Sequence, residues 1–138
     1  MAKIINISEA VAIALHSIIL IAKNKDKHVN VNYVAENTDS SKFHIAKVLQ
    51  QLVKDGFLGS HRGPKGGFYL NAKPEDITLL QIYESIEGKL IVSHCPIHKE
   101  TCPIDKCVFD DQIAKMTENF RNYLESNTLK DYLRKSTN

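Results

Sequence analysis

The 138-residue sequence predicts a mainly α-helical fold with one small two-stranded β element. Three observations predict it. Several segments repeat apolar residues at the three-and-four spacing of an α-helix. One mid-chain stretch, FLGSHRGPKGGFYLN, instead sets two short β-prone runs about a glycine- and proline-rich tip. The composition, 43% hydrophobic and 25% charged, is that of an ordinary globular chain, and its length suits one core.

The first predicted helix covers residues 8–22. Ser8 caps it, and Glu9 suits the positive end of its dipole. Its apolar residues lie nearly all round, which predicts a buried helix. The tract from Ala10 to Ala22, broken by His16 and Ser17, is too short to span a bilayer. KNKDKHVN reads as a loop, residues 31–36 as a short helix, and NTDS as a break. Asp39 or Ser40 opens the next helix, which runs to about Lys54. Its predicted inward face is Phe43, Ala46, Leu49, Leu52 and Val53, with Ile45 beside it. Its other face, Ser41, His44, Lys47, Gln51 and Lys54, is wholly polar. Gly56 ends it.

Residues 57–60 and 68–70 form a predicted hairpin with the flexible basic tip HRGPKGG. Thr78 opens a further helix, with Gln81 at capping-box spacing and Gly88 as its stop. Later, Phe109, Ile113, Met116, Phe120 and Tyr123 recur at spacings of four, three, four and three. This heptad-like stripe predicts a helix that pairs with a second copy; the plainer reading packs it on its own domain. Residues 128–133 form a short terminal helix.

Short helix, turn, polar-faced basic helix and basic hairpin follow one another as in a winged helix-turn-helix. The fold class is therefore mainly α with a small two-stranded β wing: a winged helix-turn-helix plus a long C-terminal dimerisation helix. The expected division is residues 1–90 for the DNA-binding domain and 91–138 for a cysteine loop and the dimerisation helix. Charge agrees with this. Between positions 40 and 70, Lys42, Lys47, Lys54, Arg62 and Lys65 face a single acid, Asp55. That segment is +4 in a chain of net charge +2, so the remainder sums to −2. A local basic patch on such a motif is an electrostatic footprint for double-stranded DNA. The second helix of the motif would enter the major groove, N-terminal residues first. Arg62 at the hairpin tip would reach a narrow minor groove, with Lys65 beside it.

All three cysteines, Cys95, Cys102 and Cys107, lie within HCPIHKETCPIDKC. The N-terminal flank lacks the pattern of a signal peptide, so a cytoplasmic location, with no membrane association, is expected. There, clustered thiols are more often metal ligands or redox groups than structural bridges. Soft thiolates suit an iron–sulfur cluster (2Fe–2S or 4Fe–4S) or, as the alternative, zinc. A metal-free thiol switch is a third reading, since Lys99 and Lys106 beside the thiols favour thiolate. Enzyme activity is not expected. The sequence has no Gly-rich phosphate loop, zinc-protease motif or Cys-x-x-Cys pair. The rival to a DNA-binding regulator is a zinc-stabilised protein–protein interaction module.

The stretches VNYVAENTDSSKFHIAKVLQQLVKDGFLGSHRGPKGGFYL and ITLLQIYESIEG, followed by the cysteine loop, resemble the bacterial Rrf-two (Rrf2) family. These are transcriptional regulators of iron–sulfur assembly, nitric-oxide response and cysteine metabolism. The wing RGPKGGFYL is the most specific part, and the resemblance covers essentially the whole chain. It implies a repressor that binds a near-palindromic operator as a homodimer. It implies DNA contacts at Ser40, Ser41, Lys42, His44 and Lys47 on the recognition helix, and a minor-groove role for Arg62. It also implies that Cys95, Cys102 and Cys107 ligate an iron–sulfur cluster. The fourth ligand varies in the family between a histidine shortly after the third cysteine and a residue of the partner subunit's first helix. Here the spacing is Cys-x6-Cys-x4-Cys rather than two gaps of five, and Asp110 stands three after Cys107 in place of histidine. Fourth-ligand candidates are His94, His98 and Asp110 locally, or Glu9 and His16 on the first helix.

Overall fold

The computed structural model describes residues 7–27, 29–92, 95, 97 and 102–133. Helix α1 (Glu9–Lys23) starts where Ser8 Oγ accepts the Val11 N–H at 3.1 Å. It buries Val11, Ile13, Ala14, Ser17, Ile18, Ile21 and Ala22, as its near-continuous apolar sequence requires. Helices α2 and α3, strand β2 and helix α4 all pack against it. Helix α2 (Val31–Thr38) is capped by Asn30, whose side chain accepts the Tyr33 N–H at 2.9 Å.

The turn into α3 (Lys42–Lys54) differs by one or two residues from the expected start. Asp39 takes a left-handed conformation, φ 58°, to end α2, so the cap falls to Ser41 instead of Asp39 or Ser40. The buried face of α3 is Ile45, Val48, Leu49 and Leu52, spaced as successive turns require. Phe43, expected to face inward, is 81% exposed. It lies two residues from Ile45, about 200° round a 3.6-residue helix, and so points away from the core.

Strands β1 (Leu58–His61) and β2 (Gly67–Leu70) pair antiparallel, from Leu58 opposite Leu70 to His61 opposite Gly67. The Phe68 N–H donates to Val29 O at 2.8 Å, which ties the hairpin to the segment leading into α2. Helix α4 (Leu79–Glu87) opens on the expected capping box. Gln81 N–H donates to Thr78 Oγ1 at 3.1 Å, and Thr78 N–H donates to Gln81 Oε1 at 2.8 Å. Helix α5 (Gln112–Ser126) leads to a 3-10 turn, Leu129–Tyr132.

Two backbone bonds staple this C-terminal end back onto the start of α4. Leu79 N–H donates to Asn127 O, and Leu129 N–H to Ile77 O, each at 3.0 Å. Leu124 and Leu129 are buried in the same core as Ile18, Ile45 and Ile82. Burial of a leucine contributes about 1.5–3 kcal/mol, so these two anchor the chain beyond the cysteine loop. Among the described residues, no helix is long and apolar enough to cross a membrane.

Candidate nucleic-acid interface and cysteine loop

The two ends of α3 are treated differently. At its C-terminal end, Gln51 Nε2 donates to Asp55 Oδ2 at 3.0 Å, and Ser85 Oγ of α4 donates to the same carboxylate. The Ser85 bond first, and the Gln51 bond next, hold Asp55 below its ordinary carboxylate range. That end is tied to the body of the protein. The N-terminal end presents exposed Ser41, Lys42, Phe43 and Lys47.

Ser41 Oγ accepts the His44 N–H at 3.4 Å, and Ser40 Oγ donates to Thr38 O at 3.4 Å. Half-buried His44 has its Nδ1 3.8 Å from Glu9 Oε1, an ion pair when the imidazole is protonated. A crevice between α1 and the α2–α3 turn is lined by Glu9, Ala12, His16, Thr38 and Ser40. Two of the fourth-ligand candidates therefore sit beside the start of the basic helix.

The wing tip is fixed by glycine. Gly63 has φ +105°, and Gly66 N–H donates to Gly63 O at 2.8 Å. A Cβ on Gly66 would lie 2.5 Å from His61 O and 2.8 Å from Gly63 O, both backbone atoms. This close approach explains a glycine there more directly than general flexibility does. Arg62 and Lys65 stand exposed on this tip. All five basic residues of the predicted patch, Lys42, Lys47, Lys54, Arg62 and Lys65, are exposed.

Cys95, Cys102 and Cys107 are exposed. Among the described residues, no three His, Cys, Asp or Glu side chains converge as a metal site. His94, His98 and Lys99 lie outside the described residues. Asp110 N–H donates to Cys107 O at 3.1 Å, so a tight turn brings that candidate ligand next to the third cysteine. Asp110 and Asp111 are both left-handed, φ 49° and 57°, and this double bend launches α5. Three thiolates fit an iron–sulfur cluster or zinc in donor chemistry; the described loop supplies the donors without assembling them.

Helix α5 divides its apolar residues. Ala114 and Leu124 are buried, and Phe120 packs edge-on against Tyr83 with ring centres 6.1 Å apart. Met116 and Tyr123, seven residues apart on the helix, are exposed, and so is Phe109 in the turn before it. Tyr123 and Tyr132 share a hydroxyl–hydroxyl bond of 3.0 Å, which pushes Tyr132 up to about 12.

Sequence reasoning placed Phe43 on the wrong face. The signal that finds it is the tighter set Ile45, Val48, Leu49 and Leu52, which satisfies the helical template without it.

Comparison with known proteins bears on the fold and the family. The family model Rrf2, described as an iron-dependent transcriptional regulator, matches residues 7–135. The transcriptional regulator NsrR of Halalkalibacterium halodurans is 31% identical over 111 residues, covering 79% of this chain and 76% of that one. CymR, the global cysteine regulator of B. subtilis, superposes with a TM-score of 0.74 at 23% identity, over 94% of this chain and 97% of its own. IscR of T. potens gives 0.73 at 23% identity, over 94% and 86%. At that identity the two structures establish the shared fold.

Proposed function

Because this chain belongs to the Rrf2 family of transcriptional regulators, we propose that it binds an operator as a homodimer with DNA affinity set by its three-cysteine loop. The observation that carries the DNA-binding half is the presentation of α3. Ser41, Lys42, Phe43 and Lys47 near its start are exposed while Ile45 anchors the helix in the core, and a second basic element, the glycine-set wing tip, accompanies them.

Each residue then has a role. Ser40, Ser41, Lys42, His44 and Lys47 meet the major groove, where a helix fits and base edges differ. Arg62 enters the adjoining minor groove, whose negative potential attracts a guanidinium. Lys65 neutralises phosphate. Met116, Tyr123 and Phe109 face a second copy, which sets two recognition helices about one DNA turn, ~34 Å, apart.

Cys95, Cys102 and Cys107 would hold an iron–sulfur cluster, completed by Asp110, or by Glu9 or His16 of the partner subunit, with His94 and His98 as further candidates. When bound, the cluster supplies a redox-labile link among the three thiolates. The loop connects α4, which packs on α1 and α3, with α5, which carries the apolar row. A change in loop shape therefore passes by chain continuity to the element that spaces the two reading heads.

A second reading is favoured by one observation. The three thiols are exposed, which leaves them open to an oxidant. In that reading an oxidant joins two of the thiols, and no metal takes part. Anaerobic purification with an absorbance spectrum and iron and zinc analysis separates the readings. Visible absorbance with bound iron is the expected result. A colourless zinc protein, or one with neither metal that loses two thiols to peroxide, overturns the cluster assignment. DNA binding is tested by salt. Affinity is expected to fall steeply, with a log–log slope near −0.9 for each phosphate contacted; a flat salt response removes the phosphate contacts.

A further inference from the structure

We propose that Phe43 reads sequence, its ring packing against the C5-methyl group of a thymine in the major groove. The inference deepens the DNA-binding reading and rests on it.

Phe43 is the second residue of α3 and, at 81%, is more exposed than any other large apolar side chain among the described residues. It points opposite the buried row Ile45, Val48, Leu49 and Leu52, so the core offers it no place. Exposed single apolar residues are common, so exposure alone assigns nothing. Its setting does. Within one helical turn it is flanked at the surface by Ser40, Ser41, Lys42, His44, Ala46 and Lys47, two of them exposed lysines and only Ala46 apolar, while Ile45 turns into the core.

That collar suits an apolar contact made between phosphate backbones. It does not suit an apolar protein interface, whose core is depleted of charge. The contrast lies on α5, where exposed Met116 and Tyr123 stand seven residues apart, with exposed Phe109 in the turn before the helix. In duplex DNA the apolar feature within reach of a recognition helix is the thymine methyl, and phenylalanine is among the side chains that contact it. The polar residues of the first turn would fix register, and Phe43 would distinguish thymine from cytosine at one position of each half-site.

The test begins by selecting an operator from a randomised duplex library with the full-length protein. Each thymine of that operator is then replaced by deoxyuracil, which removes the methyl group alone. Wild type is expected to bind about four-fold more weakly for each contacted methyl removed, the worth of one buried methyl group. Phe43→Ala is expected to bind the thymine operator more weakly and to bind thymine and deoxyuracil duplexes alike, with an unchanged circular dichroism spectrum. Phe43→Leu, a milder change, is expected to shrink the methyl effect without abolishing binding.

An enriched operator whose affinity is indifferent to every deoxyuracil overturns the inference alone. So does a methyl effect of equal size in wild type and both variants. Unchanged operator affinity in Phe43→Ala overturns it as well. Failure to enrich any sequence, with no salt-dependent DNA binding, overturns the DNA-binding reading together with the inference.

Discussion

Ser17 sits on α1 at 0% exposure, and its hydroxyl has no hydrogen-bond partner among the described residues. An unmade buried hydrogen bond costs about 1–3 kcal/mol, so Ser17→Ala should raise stability by about 1 kcal/mol, read as a higher urea midpoint. Asp55 gives a pH signature. Its folded pKa is lowered from 3.8, chiefly by Ser85, so its contribution is present above 3.8 and lost as pH falls through the lower folded value. Ser85→Ala should therefore lower the urea midpoint at neutral pH, and the gap from wild type should close as the medium is acidified beyond that value. At the DNA surface, Arg62→Ala should weaken operator binding by at most about 3 kcal/mol. Lys54→Ala, at the tied end of α3, should cost less; equal losses in a binding titration would mean the helix is docked the wrong way.

Elements with strong periodicity were legible in the sequence. Helices α1, α3 and α4 follow from apolar spacing and from capping residues that the structure uses at Ser8, Thr78 and Gln81. The hairpin was legible because its tip is written in glycine and proline. What escaped was the facing of two residues of α3, exposed Phe43 and buried Val48. Phe43 is apolar, and apolar character alone does not say which side of a helix a residue takes. The tertiary bridges from Val29 to Phe68 and from Thr78 to Thr128 escaped too, because single-residue pairings leave no period to read. The wing offers a prediction at this scale. Gly66→Ala forces a methyl into the His61 and Gly63 carbonyls, so it should weaken operator binding several-fold. The thermal midpoint should change little, because the tip is exposed and remote from the core.

In the molecule as a whole, one core joins α1, α2, α3 and α4 to the far end of the chain, through Leu124 and Leu129. The cysteine loop is the long excursion between them. Its thiols were legible as a group because they are absent elsewhere in the sequence. The placing of the thiols relative to one another was not, since an irregular loop carries no period to read. The stripe on α5 was legible as a heptad, and the structure divides it. Phe120 turns toward Tyr83, the row Met116 and Tyr123 is left exposed, and Phe109 falls in the turn before the helix, beyond left-handed Asp110 and Asp111. If that row joins two copies, Met116→Glu should shift the protein to monomer in sedimentation and weaken operator binding with it. A dimer unaffected by this change would place the interface elsewhere. The central claim is that the state of the cysteine loop sets DNA affinity, through a coupling of about 1–3 kcal/mol. The direct measurement is titration of one selected operator with anaerobically purified protein, before and after removal of the bound iron, at the same salt concentration. The two affinities are expected to differ by about five-fold or more. Equal affinities would contradict the central claim.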